Sequence, residues 1–335
     1  MPNKSLQFIL GCLLGLLFIP LTLVVAQTSD RGLEIEAGDA EISELSEVEL
    51  MEAMTLTSKA FRSAADRVSP SLVTIESYGG VSAVQGRIGG IRKQGEGNTT
   101  GIVISPDGFI LTSTFNFIQR PPVISVILSS GERHFAKLVG RDDTRKICLL
   151  KIEGLTNLPI PKMVDESKIK VGQWAISLGV GYGDTSPAMS TGIISATNRI
   201  GGRAIQTDAN ISPANYGGPL VDIKGRVLGI CVPMNPQSQA AGAGVEWYDS
   251  GIGFAVPLAN ATKLLDRLKA GEYIRPAFIG IQSGPNPLGD GILVRKVNAN
   301  SPASRGGVEE GDILKSINGR RVNDMLRLKQ MINRF

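Results

Sequence analysis

The chain has 335 residues, 42% of them hydrophobic, and a formal net charge of +4. This is enough apolar material for two or three ordinary domains. The charge is too small, and no basic run interleaves with aromatics, so nucleic acid is excluded as a partner. Forty glycines beside 5% aromatic residues favour a turn-rich β protein over a helical bundle. Three cysteines and one histidine supply neither a disulfide framework nor a metal cluster, and no cofactor motif is present.

Residues 6–25 are almost wholly apolar and follow Lys4. The run ends at Val24-Val25-Ala26, which suits cleavage after Ala26. It is also roughly long enough to span a bilayer, so residues 1–26 are read as a signal peptide or a membrane anchor. Either reading exports the rest of the chain, and membrane contact is confined to this segment.

Residues 28–53 are rich in Asp and Glu and read as a solvated spacer. From Leu45 to Val68 apolar residues recur at helical spacing, and Ser69-Pro70 ends the pattern. Short β-branched runs follow around Leu72–Ile75, Thr100–Ile104, Phe109–Thr112 and Val123–Leu128. Turn signals such as Ser105-Pro106-Asp107-Gly108 separate them. Further runs lie at Trp174–Leu178, Gly192–Ala196 and Val227–Val232. Many short strands at close spacing indicate barrels or a sandwich. Residues 86–97 and 237–250 read as long surface loops. Residues 258–268 have helical spacing, stopped by Gly271. Cys148 and Cys231 sit inside apolar runs and read as buried free thiols, with a disulfide between them as the alternative.

One segment carries chemistry. Ser212-Pro213-Ala214-Asn215-Tyr216-Gly217-Gly218-Pro219-Leu220 has the form of a serine-protease nucleophile loop, with a tyrosine where the serine belongs. Other motifs stand around it in a set order: Ile104-Ser105-Pro106-Asp107-Gly108-Phe109-Ile110-Leu111-Thr112, Val139-Gly140-Arg141-Asp142, Gly172-Gln173-Trp174-Ala175 and Gly251-Ile252-Gly253-Phe254-Ala255-Val256-Pro257. Over residues 60–335 the chain resembles the HtrA (Do-like) family of exported serine peptidases. The resemblance implies an all-β, trypsin-like double β-barrel at 59–271, after a spacer and helix start at 27–58. A PDZ-like unit follows at 272–335, read as truncated because more strand structure is expected after it.

Carried over residue by residue, the family's triad falls on Phe115, Lys146 and Tyr216, and its oxyanion loop on Ala214 and Asn215. Phe115 has no nitrogen to take a proton, and Lys146 when charged cannot accept one. The single histidine, His134, begins a strand and is expected to be exposed. Two aromatics and a cation at three coupled positions suggest that Phe115 and Tyr216 pack edge-to-face with Lys146 above a ring. The alternative is that the three fill a dead cleft independently.

In the C-terminal unit Phe278-Ile279-Gly280-Ile281 resembles a carboxylate-binding loop, whose backbone N–H groups receive a peptide end. Residues 322–333 would form the helix lining the groove. A degenerate appendage is the other reading of this unit. The resemblance implies an exported, periplasmic or envelope protein, and the substitutions at Phe115, Lys146 and Tyr216 imply one without catalytic residues. Its implied partners are peptides, unfolded proteins or an active HtrA-type relative, within a homo-oligomer, a trimer by resemblance. An active serine-type endopeptidase and a structural envelope protein are the alternatives.

Overall fold

The computed structural model describes residues 23–29, 32–38, 47–78, 98–118, 121–181, 186–235, 250–258, 262–287 and 289–332. The expected leader at 6–25 lies almost entirely outside these residues, as do the two long loops. No described helix is long and apolar enough to cross a membrane. Compact units divide at Ser58.

In the first unit, strands β1 (Leu23–Ser29) and β2 (Gly32–Gly38) pair antiparallel, with Ala26 opposite Ile35. A spacer was expected over much of this stretch. The charge count hides an alternation: Leu33, Ile35 and Ala37 are interleaved with Glu34 and Glu36. That is the two-residue period of a strand. Helix α1 (Glu47–Val68) then follows the expected periodicity. Its last turns bury Ala64, Ala65 and Val68.

Two closed six-stranded barrels form the body of the second unit. The first consists of β3 (Leu72–Tyr78), β4 (Thr99–Val103), β5 (Phe109–Ser113), β6 (Val123–Leu128), β7 (Arg133–Asp142) and β8 (Ile147–Ile152), closed by pairing of β7 with β8. The second consists of β9 (Trp174–Gly179), β10 (Ala188–Asn198), β11 (Ala204–Thr207), β12 (Pro219–Val221), β13 (Val227–Cys231) and β14 (Gly253–Pro257). Neighbouring residues on a strand face opposite ways, and here both ways are buried. Val73, Val103, Ile110 and Leu150 fill the first barrel, while Leu72, Ile102, Leu111 and Leu149 face outward. The outward set packs with Ile176, Leu178, Val221 and Val256 of the second barrel. Burial on both faces explains why these strands read as continuous apolar runs. It also lets the barrels press together over an apolar interface, which the hydroxyls of Thr74 and Thr100 cross to bond the Val180 backbone.

Helix α2 (Thr262–Lys269) lies against β7 at Gly140, where a Cβ would meet the Leu268 carbonyl oxygen at 2.3 Å. Strand β15 (Tyr273–Ile274) then pairs parallel with the end of β7. The Tyr273 hydroxyl donates to Asp143 at 2.6 Å. Beyond it, β16 (Ile281–Pro285), β17 (Ile292–Val297) and β18 (Ile313–Leu314) make a three-stranded sheet. A short helix α3 (Pro302–Arg305) is capped by Ser301, whose Oγ accepts from Ser304 N–H. Strands β19 (Ser316–Ile317) and β20 (Arg320–Arg321) turn at Asn318-Gly319, both with positive φ. Helix α4 (Met325–Ile332) closes the described chain.

Candidate functional site

Phe115 sits in a 3₁₀ turn, Thr114–Phe117, directly after β5. Ser113 caps that turn by accepting the Phe115 N–H, and Thr114 N–H donates to the Lys146 carbonyl at 2.8 Å. The second bond ties the Phe115 turn to the β7–β8 turn. Asp142 builds that β7–β8 turn from a fully buried position. Its carboxylate accepts from Thr144 N–H, the Thr144 hydroxyl, Arg145 N–H and the Arg145 guanidinium. Lys146 follows with φ +59° and is 6% exposed. Burial pushes its ammonium pKa down, and the nearby Asp143 charge offsets part of that fall.

Tyr216 arrives from the other barrel, between β11 and β12. Its ring meets the Phe115 ring at 5.1 Å between centroids, with planes inclined at 58°. The two rings meet as expected but tilted rather than edge-to-face, and the pair is deeper than a surface contact. Both residues belong to the core of the second barrel, with Ile194, Ile205, Leu228 and Cys231. Phe115 thus crosses from the first barrel to plug the second. Against Tyr216 the described residues leave a cavity of about 10 Å³, lined also by Ile211, Val232, Met234 and Phe254. That volume is at the threshold for one water molecule.

The loop before Tyr216 is wound into a turn. Ser212 C=O accepts from Asn215 N–H at 2.9 Å and from Tyr216 N–H at 3.2 Å. The Asn215 carboxamide accepts from Ser212 N–H and from the Ser212 hydroxyl at 2.7 Å. An oxyanion hole needs backbone donors aimed at empty space. Here the Tyr216 N–H is already bonded. On the far side, Thr99 Oγ1 donates to the Tyr216 carbonyl and Thr100 Oγ1 to the Ala214 carbonyl, both at 2.6 Å. Gly217 has φ +85°, and a Cβ there would stand 2.2 Å from the Thr100 carbonyl oxygen.

No imidazole serves this site. His134 lies on β7 opposite Val126 of β6, eight residues before Asp142, or roughly 25 Å along a strand. It is half-buried rather than exposed, because the residue it faces across the ladder, Val126, points into the barrel. Its Nε2 lies 3.6 Å from a Glu132 oxygen. Cys148 and Cys231 are free buried thiols. Burial pushes the Cys231 thiol up to about 12 and raises Cys148 in the same direction, so neither is a ready nucleophile. Among the described residues no three His, Cys, Asp or Glu side chains converge to hold a metal ion.

A second site lies at the start of β16. Ala303 N–H donates to the Ile279 carbonyl and Asn298 N–H to the Gly280 carbonyl, both at 2.8 Å. A trans peptide plane points its N–H opposite its C=O. With both carbonyls turned inward, the N–H groups of Gly280 and Ile281 face out. The Asn298–Gly280 bond also makes Ile281 and Val297 a wide pair, so Ile281 offers its backbone groups to the free edge of β16. Gly280 has φ +86°, and a Cβ there would strike Ser301. The Phe278 ring is exposed, while Ile279 and Ile281 pack on the small core of Ile292, Val322 and Leu328.

The trypsin-like peptidase domain family matches residues 99–230, and the PDZ domain family matches residues 270–334. A probable periplasmic serine endoprotease, DegP-like, of Marinomonas sp. is 36% identical over 238 residues, 67% of this chain and 48% of that protein. A putative serine protease, HhoA, of Synechocystis sp. is 30% identical over 266 residues, 70% and 64% of the two chains. Among solved structures, the HtrA-type protease AlgW with a decapeptide superposes with TM-score 0.62 at 26% identity, covering 82% of this chain and 90% of that one. The serine endoprotease from Yersinia pestis gives TM-score 0.62 at 29% identity, covering 82% and 88%.

The chain belongs to the HtrA family. It spans about half the length of the DegP-like curated relatives it matches. Within the HtrA frame, three participants escaped the sequence. Ser212 enters the sequence reading only as the first residue of the loop. Its spacing of three from Asn215 is the mark of a side-chain-locked turn. Thr99 and Thr100, which hold the Tyr216 loop from behind, carry no local signal at all. Their partners lie more than 110 residues away.

Proposed function

We propose that this chain is an exported HtrA-family protein that binds polypeptides and does not cleave them. The observation that carries this reading is the Phe115–Tyr216 ring pair, which occupies the place where the family's resemblance puts histidine and serine. Lys146 takes the aspartate's place. The bonded Tyr216 N–H and the cavity of about 10 Å³ beside the phenol ring support the same reading. Peptidase turnover needs a base beside an attackable oxygen and a free oxyanion site.

The outward N–H groups of Gly280 and Ile281 support capture of a peptide end, and the structural relative with a decapeptide is consistent with it. Export to the periplasm is supported by the apolar run at 6–25 and by the names of the relatives. In this reading 59–271 is the barrel domain and 272–335 the PDZ-like unit. The protein works in a homo-oligomer or beside an active relative, whose substrates or assembly it controls.

An endopeptidase using another nucleophile is the second reading, favoured by relatives named as endoproteases. Fluorescent casein and a fluorophosphonate probe on the pure protein separate the two. The expected outcome is no turnover and no adduct. Turnover that co-purifies with the protein and an adduct mapped between residues 98 and 235 would overturn the proposal.

A further inference from the structure

Strand β17 carries one more residue than β16 opposite it. Gln282 pairs with Lys296 and Ser283 with Val294, which leaves Arg295 as the extra residue of a bulge. A bulge re-aims the side chain it carries. The Arg295 guanidinium lies over Gly284 of β16: a Cβ built on that glycine would stand 2.2 Å from Nε and 2.7 Å from Cζ. Arg295 is exposed, and among the described residues no carboxylate pairs with it. Strand β16 is an edge, paired with β17 on one side and with no described strand on the other.

We infer that Arg295 selects the incoming peptide, favouring an acidic side chain at the fourth residue from its C-terminus. The inference rests on the peptide-binding reading above and names the ligand class for that site. A peptide carboxylate held by the N–H groups of Gly280 and Ile281 lies at the beginning of β16. The peptide must then run back along β16, antiparallel to it. Its last residue stands abreast of Ile281, and each step back advances one residue along β16. The third residue before the last therefore stands beside Gly284. Residues opposite each other on paired strands share a face. That side chain points to the face from which a Gly284 Cβ would meet the guanidinium. Glycine leaves the space open, and a carboxylate there receives a charge-assisted hydrogen bond from the arginine. A lysine at the same place meets a like charge.

The test uses the full chain and fluorescein-labelled decapeptides of alanine and serine ending in valine, read by fluorescence anisotropy. Three peptides carry Glu, Gln or Lys at the fourth position from the end, and a fourth is the Glu peptide with an amidated terminus. The expected order is Glu, Gln, Lys, with about fivefold between the first and last for a solvent-exposed pair. Arg295→Glu reverses the order, and Arg295→Gln flattens it. Circular dichroism confirms that both variants fold, and the comparison among peptides on the unaltered protein needs no variant. Free-carboxylate peptides that bind equally well whatever the fourth residue would overturn the role of Arg295 and leave peptide capture standing. Failure of every free-carboxylate peptide to bind better than the amidated one would overturn both.

Discussion

Phe115 and Tyr216 reach each other from different barrels, with ring centroids 5.1 Å apart and planes inclined at 58°. Each is almost wholly buried, at 1% and 3% exposure. Residues from two barrels thus share one core. Phe115→Ala should then behave as a core truncation and cost about 3–5 kcal/mol. Urea unfolding of the two single alanine variants and the double variant should show the double variant destabilised by about 1 kcal/mol less than the sum of the singles, the coupling of the two rings. Additive effects would mean that the rings fill the cleft independently.

Asn215 keeps the Ser212 turn wound through two hydrogen bonds, one of them to the Ser212 hydroxyl at 2.7 Å. Asn215→Ala should lower stability by about 1–2 kcal/mol, the cost of losing a side-chain cap over a short turn. The urea midpoint reports this, with the slope of the transition unchanged.

Gly217 has no room for a methyl group. A Cβ would lie 2.2 Å from both the Thr100 carbonyl oxygen and Thr112 Oγ1, at a φ of +85°. Gly217→Ala combines overpacking against backbone with an unfavourable φ, so its cost is about 3 kcal/mol or more. The expected outcome is a strongly depressed thermal midpoint. Gly251→Ala, with φ +72° but nothing within 4 Å, provides the control for the φ effect alone.

The buried thiols give the protein an alkaline limit. Cys231 moves from 9.0 to about 12, because burial disfavours the thiolate. The folded thiol keeps its proton where the unfolded one has lost it. Its contribution is whole below pH 9 and falls as the pH climbs towards 12. Lys146 has the opposite sign: its pKa is lowered from 10.5, mainly by burial, so stability rises as the pH climbs from its folded value to 10.5. Cys231→Ala should therefore lose less stability than the parent between about pH 8 and about pH 10 in urea titrations. Iodoacetamide at pH about 8 should label neither Cys148 nor Cys231 until urea opens the barrels.

Much of the architecture was legible because it rests on local pattern. The strand runs in β5 and β8 are buried on both faces, and short turns punctuate the sheet. The acidic stretch was misread because charge was counted and alternation was not, so the pairing of β1 with β2 was missed. Phe115, Lys146 and Tyr216 could be singled out through ordered motifs. The Ser212 carbonyl could not, since a backbone oxygen has no letter in a sequence. His134 shows the same limit. Its place on a strand was visible, but which face it took depended on the partner strand.

By itself the chain of letters determined which side chains are available: a single histidine far along the chain from Tyr216, two cysteines inside apolar runs, and a Phe-Ile-Gly-Ile loop before a strand. Only the tertiary structure decided that Phe115 enters the other barrel, that Tyr216 N–H is already bonded, and that Arg295 lies across Gly284. The physical reason is one of range. Periodicity and residue chemistry are carried within a few positions, whereas cavity volume, backbone donor direction and a bulge's aim arise from strands brought together across tens to hundreds of residues.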